Sequence, residues 1–239
     1  PDGQTFLFGS GSLAAGPSLL KSLPFDVNND LVPVSQITSI ASILAVHPSV
    51  PAKDAREFLA WAKGQGGKAN YGSPGNGTTI HLAGNLFEKA AKVDIRHIPY
   101  KGSNPALMDA LAGNVDLLVS SVPSAIAQIK AGKLRALAVS GATRSPVLPD
   151  VPALSEVVPG YTGTLWIGLF APAGVPAEVQ AKLQDAMTKT LAAKDLRDKL
   201  ELQGVELAPP TTPEQFAALL QDDMVMWARI VKSSGASVD

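Results

Sequence analysis

The sequence lacks cysteine and long apolar runs. None of its 239 residues is cysteine, which excludes disulfide bonds, thiol catalysis and thiolate metal sites and gives weak support for an exported protein. No run reaches the roughly 18 apolar residues of a membrane helix, so we expect no direct membrane insertion. No signal peptide is visible, and the chain begins with "PDGQTFLFGS", which indicates a processed or truncated N-terminus.

Charge of one sign is not concentrated anywhere in the chain. Twenty basic and 21 acidic residues give a net charge of −1, and there is no basic block. This balance weighs against nucleic acid or an anionic membrane surface as the main partner. Hydrophobic residues make up 46% and charged residues 17%, proportions typical of a globular protein.

Catalytic patterns are also missing. The three histidines, His47, His81 and His97, have no metal-site spacing,, and no G-x-S-x-G nucleophile motif occurs. His81 falls on the first turn of a predicted helix, where we expect a packing or hydrogen-bonding role. The sequence therefore predicts no enzyme, no metal and no cofactor, although an enzyme on a related scaffold stays open as an alternative.

Strand-like and helix-like segments alternate along the chain. Such alternation predicts an α/β fold with mostly parallel sheets flanked by helices. The predicted strands are 5–10, 42–47, 69–73, 94–100, 116–121, 134–141 and 166–172. The predicted helices are 54–64, 79–92, 104–112, 123–131, 176–193, 195–203 and 212–234.

Two similar segments suggest where the chain passes between two lobes. "SILAVHPSVPA" and "IGLFAPAGVPA" each carry an apolar strand that ends in a proline-rich exit. We interpret them as the crossings between a discontinuous lobe one, residues 1–45 and 167–239, and a lobe two, residues 46–166. Trp166 sits at the proposed return crossing, beside "TGT", and is therefore a candidate site residue.

The segment "NYGSPGNGTTIHLAG" joins a strand to a helix through a glycine-rich turn. Thr78 or Thr79 can cap the helix, and exposed backbone N–H groups at a helix start favour an anion. The Walker pattern fails because no Lys-Ser/Thr pair follows the last glycine, and a dinucleotide fingerprint fails because Ile80 replaces its third glycine. A small carboxylate fits the turn better than a nucleotide, although a turn without a ligand remains an alternative.

Two further strand-to-helix joints have similar chemistry. Tyr100 and Lys101 follow the strand of "HIPYKGSNP", and Ser120, Ser121 and Ser124 gather hydroxyl groups in "LLVSSVPSA". Open α/β sheets bind ligands at the carboxyl ends of their strands. Three such joints together predict a crevice lined by N–H groups and hydroxyls.

Long motifs resemble one known family. "YGSPGNGTTIHLAGNLF", "HIPYKGSNPALMDALAGNVDLLVSS", "GKLRALAVSGATRSPVLPDVPALSE" and "WIGLFAPAGVP" resemble, in order, the substrate-binding proteins of tripartite tricarboxylate transporters, the Bug family. The resemblance implies a type II periplasmic binding protein of two α/β lobes, the Venus-flytrap fold. It further implies capture of a small organic acid in the periplasm for the membrane components of the transporter.

The resemblance also implies which residues bind the ligand. In the family a carboxylate is held between the lobes by N–H groups, hydroxyls and bridging waters. The matching positions are Ser73, Asn76, Gly77, Thr78, Thr79, Tyr100, Lys101 and Ser121, with Gly9, Ser10 and Ser12 facing the same cleft from lobe one.

One departure from the family concerns the N-terminus. Family members begin with a strand, a glycine-containing loop, a helix and another strand before the "PDG" segment, whereas this sequence begins at that segment. We interpret the strand-helix portion of lobe one as either truncated or not represented in the sequence. In the family, the loop of that portion supplies part of the carboxylate site. A ligand-sensing protein of the same fold that acts in signalling or regulation remains an alternative, although no basic recognition helix is present.

Overall fold

The structure is a computed structural model that describes residues 2–159, 161 and 164–234. The chain forms two compact units, one made of Pro1–Ser39 with Leu165–Asp239 and the other of Ile40–Thr164. Within the described ranges, every helix is too short or too polar to cross a bilayer.

Strands and helices alternate along most of the chain, as the sequence predicts. The strands are β1 Leu7–Ser10, β2 Leu31–Val46, β3 Asn70–Ser73, β4 Arg96–Pro99, β5 Leu117–Ser121, β6 Arg135–Val139, β7 Thr164–Pro172 and β8 Glu206–Leu207. The helices are α1 Ser12–Leu19, α2 Ala55–Gly64, α3 Thr79–Ala91, α4 Ser103–Leu111, α5 Val122–Lys130, α6 Ala177–Ala192, α7 Lys194–Leu202 and α8 Pro213–Ser234, with a 3-10 turn at Leu154–Glu156.

The sheet of the second unit is mixed. Parallel pairing joins β3 to β4 and to β5, because each of these strands is followed by a helix that returns the chain to the same end of the sheet. The carboxyl-terminal part of β2 pairs antiparallel with β5 and β6. The prediction of mostly parallel pairing therefore applies to β3, β4 and β5 but not to the strands around β2.

Both faces of this sheet are covered by apolar side chains. Along β2, Leu44 and Val46 belong to a core cluster with Phe58 and Phe87, which come from α2 and α3. The alternate residue Ile43 belongs to a second cluster, which contains residues of α4 and α5. A strand buried on both faces needs an unbroken apolar sequence, which explains "SILAV".

In the first unit, β1 pairs antiparallel with β7, and β2 pairs with the short strand β8. Val34 of β2 packs with Leu169 and Ala171 of β7 in a small core cluster that α6 partly covers. Helices α1 and α8 pack against each other. These contacts place the end of β1 beside β7.

Two elements of this unit begin where the sequence predicts none. Helix α1 contains Gly16 and Pro17, two of the poorest helix formers, so its sequence indicates a loop. Strand β2 begins at Leu31, well before the predicted start at residue 42. Its sequence does not indicate a strand at this point because Pro33 is unfavourable inside a strand. Residues 162 and 163 of "TGT" lie outside the described part of the chain.

Candidate functional site

Three strand-to-helix joints lie at one edge of the sheet in the second unit. Because β3, β4 and β5 run parallel, their carboxyl ends share an edge, and a helix follows each of them. We call them the glycine joint (residues 73–79), the tyrosine joint (99–103) and the serine joint (120–124). The first N–H groups of α3, α4 and α5 therefore occur along one edge, where negative charge is favoured.

The glycine joint is held by side chains of its own helix. The Thr78 hydroxyl donates to the Gly75 carbonyl at 2.8 Å and accepts from the His81 N–H at 3.1 Å, which makes Thr78 the N-cap of α3,. The Gly77 N–H donates to His81 Nδ1 at 3.2 Å. Gly75 and Gly77 have φ angles of +142° and +73°, which residues with a Cβ rarely adopt. The turn is thus fixed by hydrogen bonds to the side chains of Thr78 and His81, and its backbone conformation requires glycine at positions 75 and 77.

Ser73 connects the glycine joint to the tyrosine joint. Its side chain is fully buried, and its hydroxyl accepts the Gly75 N–H at 3.2 Å. Its carbonyl accepts the Tyr100 N–H at 3.0 Å, and the Pro74 carbonyl accepts the Gly102 N–H at 2.8 Å. The two joints therefore form one hydrogen-bonded structure.

A stack of aromatic rings lies behind the glycine joint. His97 stacks on Tyr71 and on His81, with ring centroids 4.8 and 4.1 Å apart, and its Nε2 lies 2.7 Å from Ser73 Oγ. His81 Nε2 lies 3.1 Å from Asn85 Nδ2. Burial, and then the neighbouring His81 ring, lower the pKa of His97 to about 4, and burial also lowers the pKa of His81. Both rings are therefore neutral at pH 7.

The tyrosine joint is more open. Gly102 caps α4 with a φ of +112° and no side-chain cap. The Tyr100 hydroxyl donates to Asp109 Oδ2 at 2.6 Å. Burial and this bond raise the pKa of Tyr100 to about 12, while the same bond lowers the pKa of Asp109. The Tyr100 hydroxyl thus already has an acceptor, whereas the Lys101 side chain is exposed.

The serine joint supplies one accessible hydroxyl pair. Ser121 precedes α5 as its N-cap residue, and its Oγ lies 2.7 Å from Ser124 Oγ. Ser120 is fully buried, and its hydroxyl has no hydrogen-bond partner among the described residues. Of the two strand-end serines, Ser121 is therefore the more accessible.

The four candidates from the first unit lie together at the end of β1. Gly9 and Ser10 pair with β7, and Ser12 begins α1. Trp166 of β7 is 2% exposed, and its indole N–H donates to Asp223 Oδ2 at 2.5 Å. Burial raises the pKa of this aspartate, against the lowering effect of the indole. Trp166 is a packed residue of this unit whose polar atom already has an acceptor.

Sequence reasoning named Ser73 and His81 but missed the contacts by which they support the glycine joint. His97 and Ser73 come from neighbouring strands, so only the strand pairing reveals their contact. Asn85, which bonds both His81 and Tyr71, does have a signal, because His81 and Asn85 are four residues apart and share a helix face.

Two further candidates lie at the tip of the glycine joint and at the start of its helix. Asn76 is exposed at the tip of the glycine joint, and Thr79 is buried at the start of α3. The N–H groups of Thr79 and Ile80 belong to the first turn of α3. The first N–H groups of a helix have no carbonyl partner within that helix. No three His, Asp or Glu side chains in the described ranges are close enough to hold a metal ion.

The comparison with known families names the class of protein. Residues 1–236 match the model of the "Tripartite tricarboxylate transporter family receptor" family, TctC. The chain belongs to this family, which confirms the resemblance seen in the sequence motifs.

Three solved structures show how far the similarity extends. The periplasmic binding protein BugD is 28% identical, with a TM-score of 0.89 over 99% of this chain and 80% of that one. Rpa4515 of R. palustris, solved with adipate, is 30% identical, with a TM-score of 0.90 over 99% and 80%. MatC of Rhodopseudomonas palustris, solved with malate, is 30% identical, with a TM-score of 0.86 over 97% and 80%.

These similarities confirm the predicted fold and the predicted absence of enzymatic activity. The chain has the α/β fold of a periplasmic binding protein, and the family and its solved members are solute-binding receptors rather than enzymes. The site residues predicted from the motifs remain a prediction.

Proposed function

We propose that this receptor captures a small organic acid, a di- or tricarboxylate or an acidic amino acid, in the periplasm and delivers it to a tripartite transporter. The observation that carries the proposal is the glycine joint, a turn already fixed at an edge where three helices begin. The adipate in Rpa4515 and the malate in MatC support a carboxylate as the ligand class.

Backbone donors would hold one carboxylate end of the ligand. The N–H groups of Thr79 and Ile80 open the first turn of α3, and the positive end of the helix dipole adds to their attraction for an anion. Asn76 is exposed at the tip of the turn and offers an amide donor. Hydrogen bonds to a charged acceptor contribute more than bonds between neutral groups, so a few such donors suffice to orient the acid.

The other predicted residues of the glycine joint would act indirectly. Ser73 is fully buried and bonded to its own loop, and the Gly77 N–H is occupied by His81. We assign both residues to holding the turn. Lys101 is exposed beside the glycine joint, where its ammonium group would attract the acid over a longer range.

A thermal-shift screen tests the ligand class. The protein is titrated with small di- and tricarboxylates and acidic amino acids, with uncharged diols of matched length as controls. A ligand at 100 times its Kd should add about 2.7 kcal/mol to the free energy of unfolding. The diols should give no shift, and a protein that responds to no acid would rule out the proposed function.

Delivery to a transporter is tested separately in cells. Deletion of the gene should abolish uptake of the acid identified in the screen, and a plasmid copy should restore it. Normal uptake in the deletion strain would contradict the transport role without affecting the binding assignment.

A further inference from the structure

His81 makes a contact with the glycine joint that only one form of its ring permits. The Gly77 N–H points at His81 Nδ1 over 3.2 Å, so Nδ1 must be an unprotonated acceptor. A neutral ring then has its proton on Nε2. Protonation of the ring would place a second proton on Nδ1 and replace the bond by a contact between two donors.

The Asn85 amide fits this tautomer only when it is turned about its last bond. Nε2–H needs an acceptor, and the Asn85 amide is 3.1 Å away. The amide oxygen must then face the ring, while the NH₂ group faces the Tyr71 hydroxyl, which lies 3.1 Å from the other amide atom. In the structure the amide has the reverse orientation, with Nδ2 toward the ring and the Tyr71 hydroxyl donating to Oδ1. Because the two ends of an amide have nearly the same shape, rotation about its last bond exchanges them. With the amide turned, the hydrogen bonds from Gly77 through His81 and Asn85 to Tyr71 each join one donor to one acceptor.

The surroundings of His81 favour the neutral ring. The ring is buried, stacks on His97 of β4 at 4.1 Å, and lies in the first turn of α3, where the helix dipole disfavours a cation. Among the described residues, the titratable groups connected to the ring are His97, which stacks on it, and Tyr71 of β3, which Asn85 bridges to it. Burial and then the charge of Glu88, on the same helix, raise the pKa of Tyr71. Burial lowers the pKa of His81 below its ordinary 6.5.

We propose that neutral His81 is a positioning residue that holds the glycine joint in its binding conformation, and that acidification releases the joint by protonating Nδ1. This inference rests on the proposed function, because the joint is the ligand site assigned above. Gly77 has a φ of +73° and makes no other hydrogen bond through its N–H in the described structure. Loss of the Nδ1 acceptor thus removes the bond that orients the peptide just before the Thr78 cap.

Two variants separate the acceptor from the rest of the ring. His81→Asn places an amide oxygen near the position of Nδ1 but does not titrate, whereas His81→Leu offers no acceptor. Both variants lose the ring stack and the bond to Asn85, so their difference reports the contact with Gly77. At pH 7.5 we expect His81→Leu to weaken dicarboxylate binding at least tenfold and His81→Asn to bind within about threefold of wild type.

The state of the loop is followed by NMR on the ligand-free protein. The ring nitrogens of His81 should show the Nε2–H tautomer at pH 7.5 and titrate with a midpoint below 6.5. The protection factor of the Gly77 amide should fall with the same midpoint in wild type, should be independent of that titration in His81→Asn, and should be low at all pH values in His81→Leu.

The two readouts separate this inference from the proposed function. If no carboxylate binds but Gly77 follows the titration of His81, the proposed function is wrong and the positioning role stands. If carboxylates bind and His81→Leu binds as well as His81→Asn, the positioning role is wrong. An Nδ1–H tautomer at pH 7.5, or a Gly77 amide indifferent to both variants, would also overturn it.

Discussion

The glycine joint and the tyrosine joint occupy neighbouring ends of two parallel strands, yet they are constructed differently. In the glycine joint, Thr78 caps the helix and His81 accepts the Gly77 N–H. In the tyrosine joint, Gly102 is the cap residue and no side chain caps α4, while Tyr100 turns its hydroxyl to Asp109. Two loops with the same place in the fold thus differ in how firmly side chains hold their backbone.

This difference indicates a division of roles. A ligand bound by backbone N–H groups gains affinity when those groups are already oriented, because less ordering is required on binding. The glycine joint meets that condition. The tyrosine joint offers an exposed charge at Lys101, which attracts an anion without fixing its orientation. We therefore expect changes in the first joint to affect binding more than changes in the second.

The largest effect is expected from an alanine at Gly75. A Cβ there would lie 2.8 Å from the Tyr100 carbonyl oxygen, and the φ of +142° is unfavourable for any side chain. We expect Gly75→Ala to lower the free energy of unfolding by about 2–3 kcal/mol and to abolish measurable carboxylate binding. Chemical denaturation and calorimetric titration measure the two quantities.

Gly102→Ala is the matched control in the other joint. Its φ is also positive, at +112°, but an added Cβ meets no atom within 4 Å. We expect a loss of about 1–2 kcal/mol from the backbone conformation alone and retention of binding. Equal losses from the two substitutions would show that the joints are equally tolerant and would contradict the comparison.

A pH titration comes next in expected size. The folded-state pKa of His97 is about 4, against about 6.5 in an unfolded chain, so its stabilising effect is complete above pH 6.5 and is lost as the pH falls through 4. After allowance for solvent screening of this half-buried ring, we expect a loss of about 1–2 kcal/mol. Denaturation from pH 7.5 to 4 measures it.

The control for this titration is His97→Gln, which retains a polar end for Ser73 Oγ but has no charge to gain. The difference in unfolding free energy between wild type and variant should shrink as the pH falls from 6.5 to 4. A constant difference over that range would mean that His97 does not contribute to acid sensitivity.

The helix cap is expected to have a smaller effect. Thr78→Val removes the hydroxyl that bonds Gly75 and His81, and we expect a loss of about 1 kcal/mol of stability and about 0.5–1.5 kcal/mol of binding. Asp54→Ala removes the cap of α2, where Asp54 accepts the Glu57 N–H at 2.9 Å. Asp54→Ala should lower the free energy of unfolding by a similar amount and leave the affinity for the carboxylate unchanged. If Thr78→Val also leaves the affinity unchanged, Thr78 only caps its helix.

The smallest effect is expected at Lys101. Its side chain is exposed, so Lys101→Met should weaken binding by less than threefold, and less at high salt because exposed charges are screened. Lys130→Met changes the net charge equally at the last residue of α5 and should have no effect. A loss of binding in Lys101→Met comparable to that of Gly75→Ala would identify Lys101 as the counter-ion.

Local features of this chain were predictable from its sequence, whereas contacts between distant segments were not. The helix predicted over 79–92 is observed at Thr79–Ala91, with Thr78 as its cap, because capping and apolar periodicity act over a few residues. The contact between Ser73 and His97 depends on which strands are neighbours in the sheet. The identity of the proposed ligand depends on side chains whose arrangement no local pattern specifies.

The most direct test of the account is an amide chemical-shift map of the ¹⁵N-labelled protein with a saturating small dicarboxylate. If the glycine joint holds a carboxylate through backbone donors, the largest shifts should fall on the N–H groups of residues 76–80. Smaller shifts should appear at the tyrosine joint. Saturable binding with its largest shifts outside both joints would contradict the central claim.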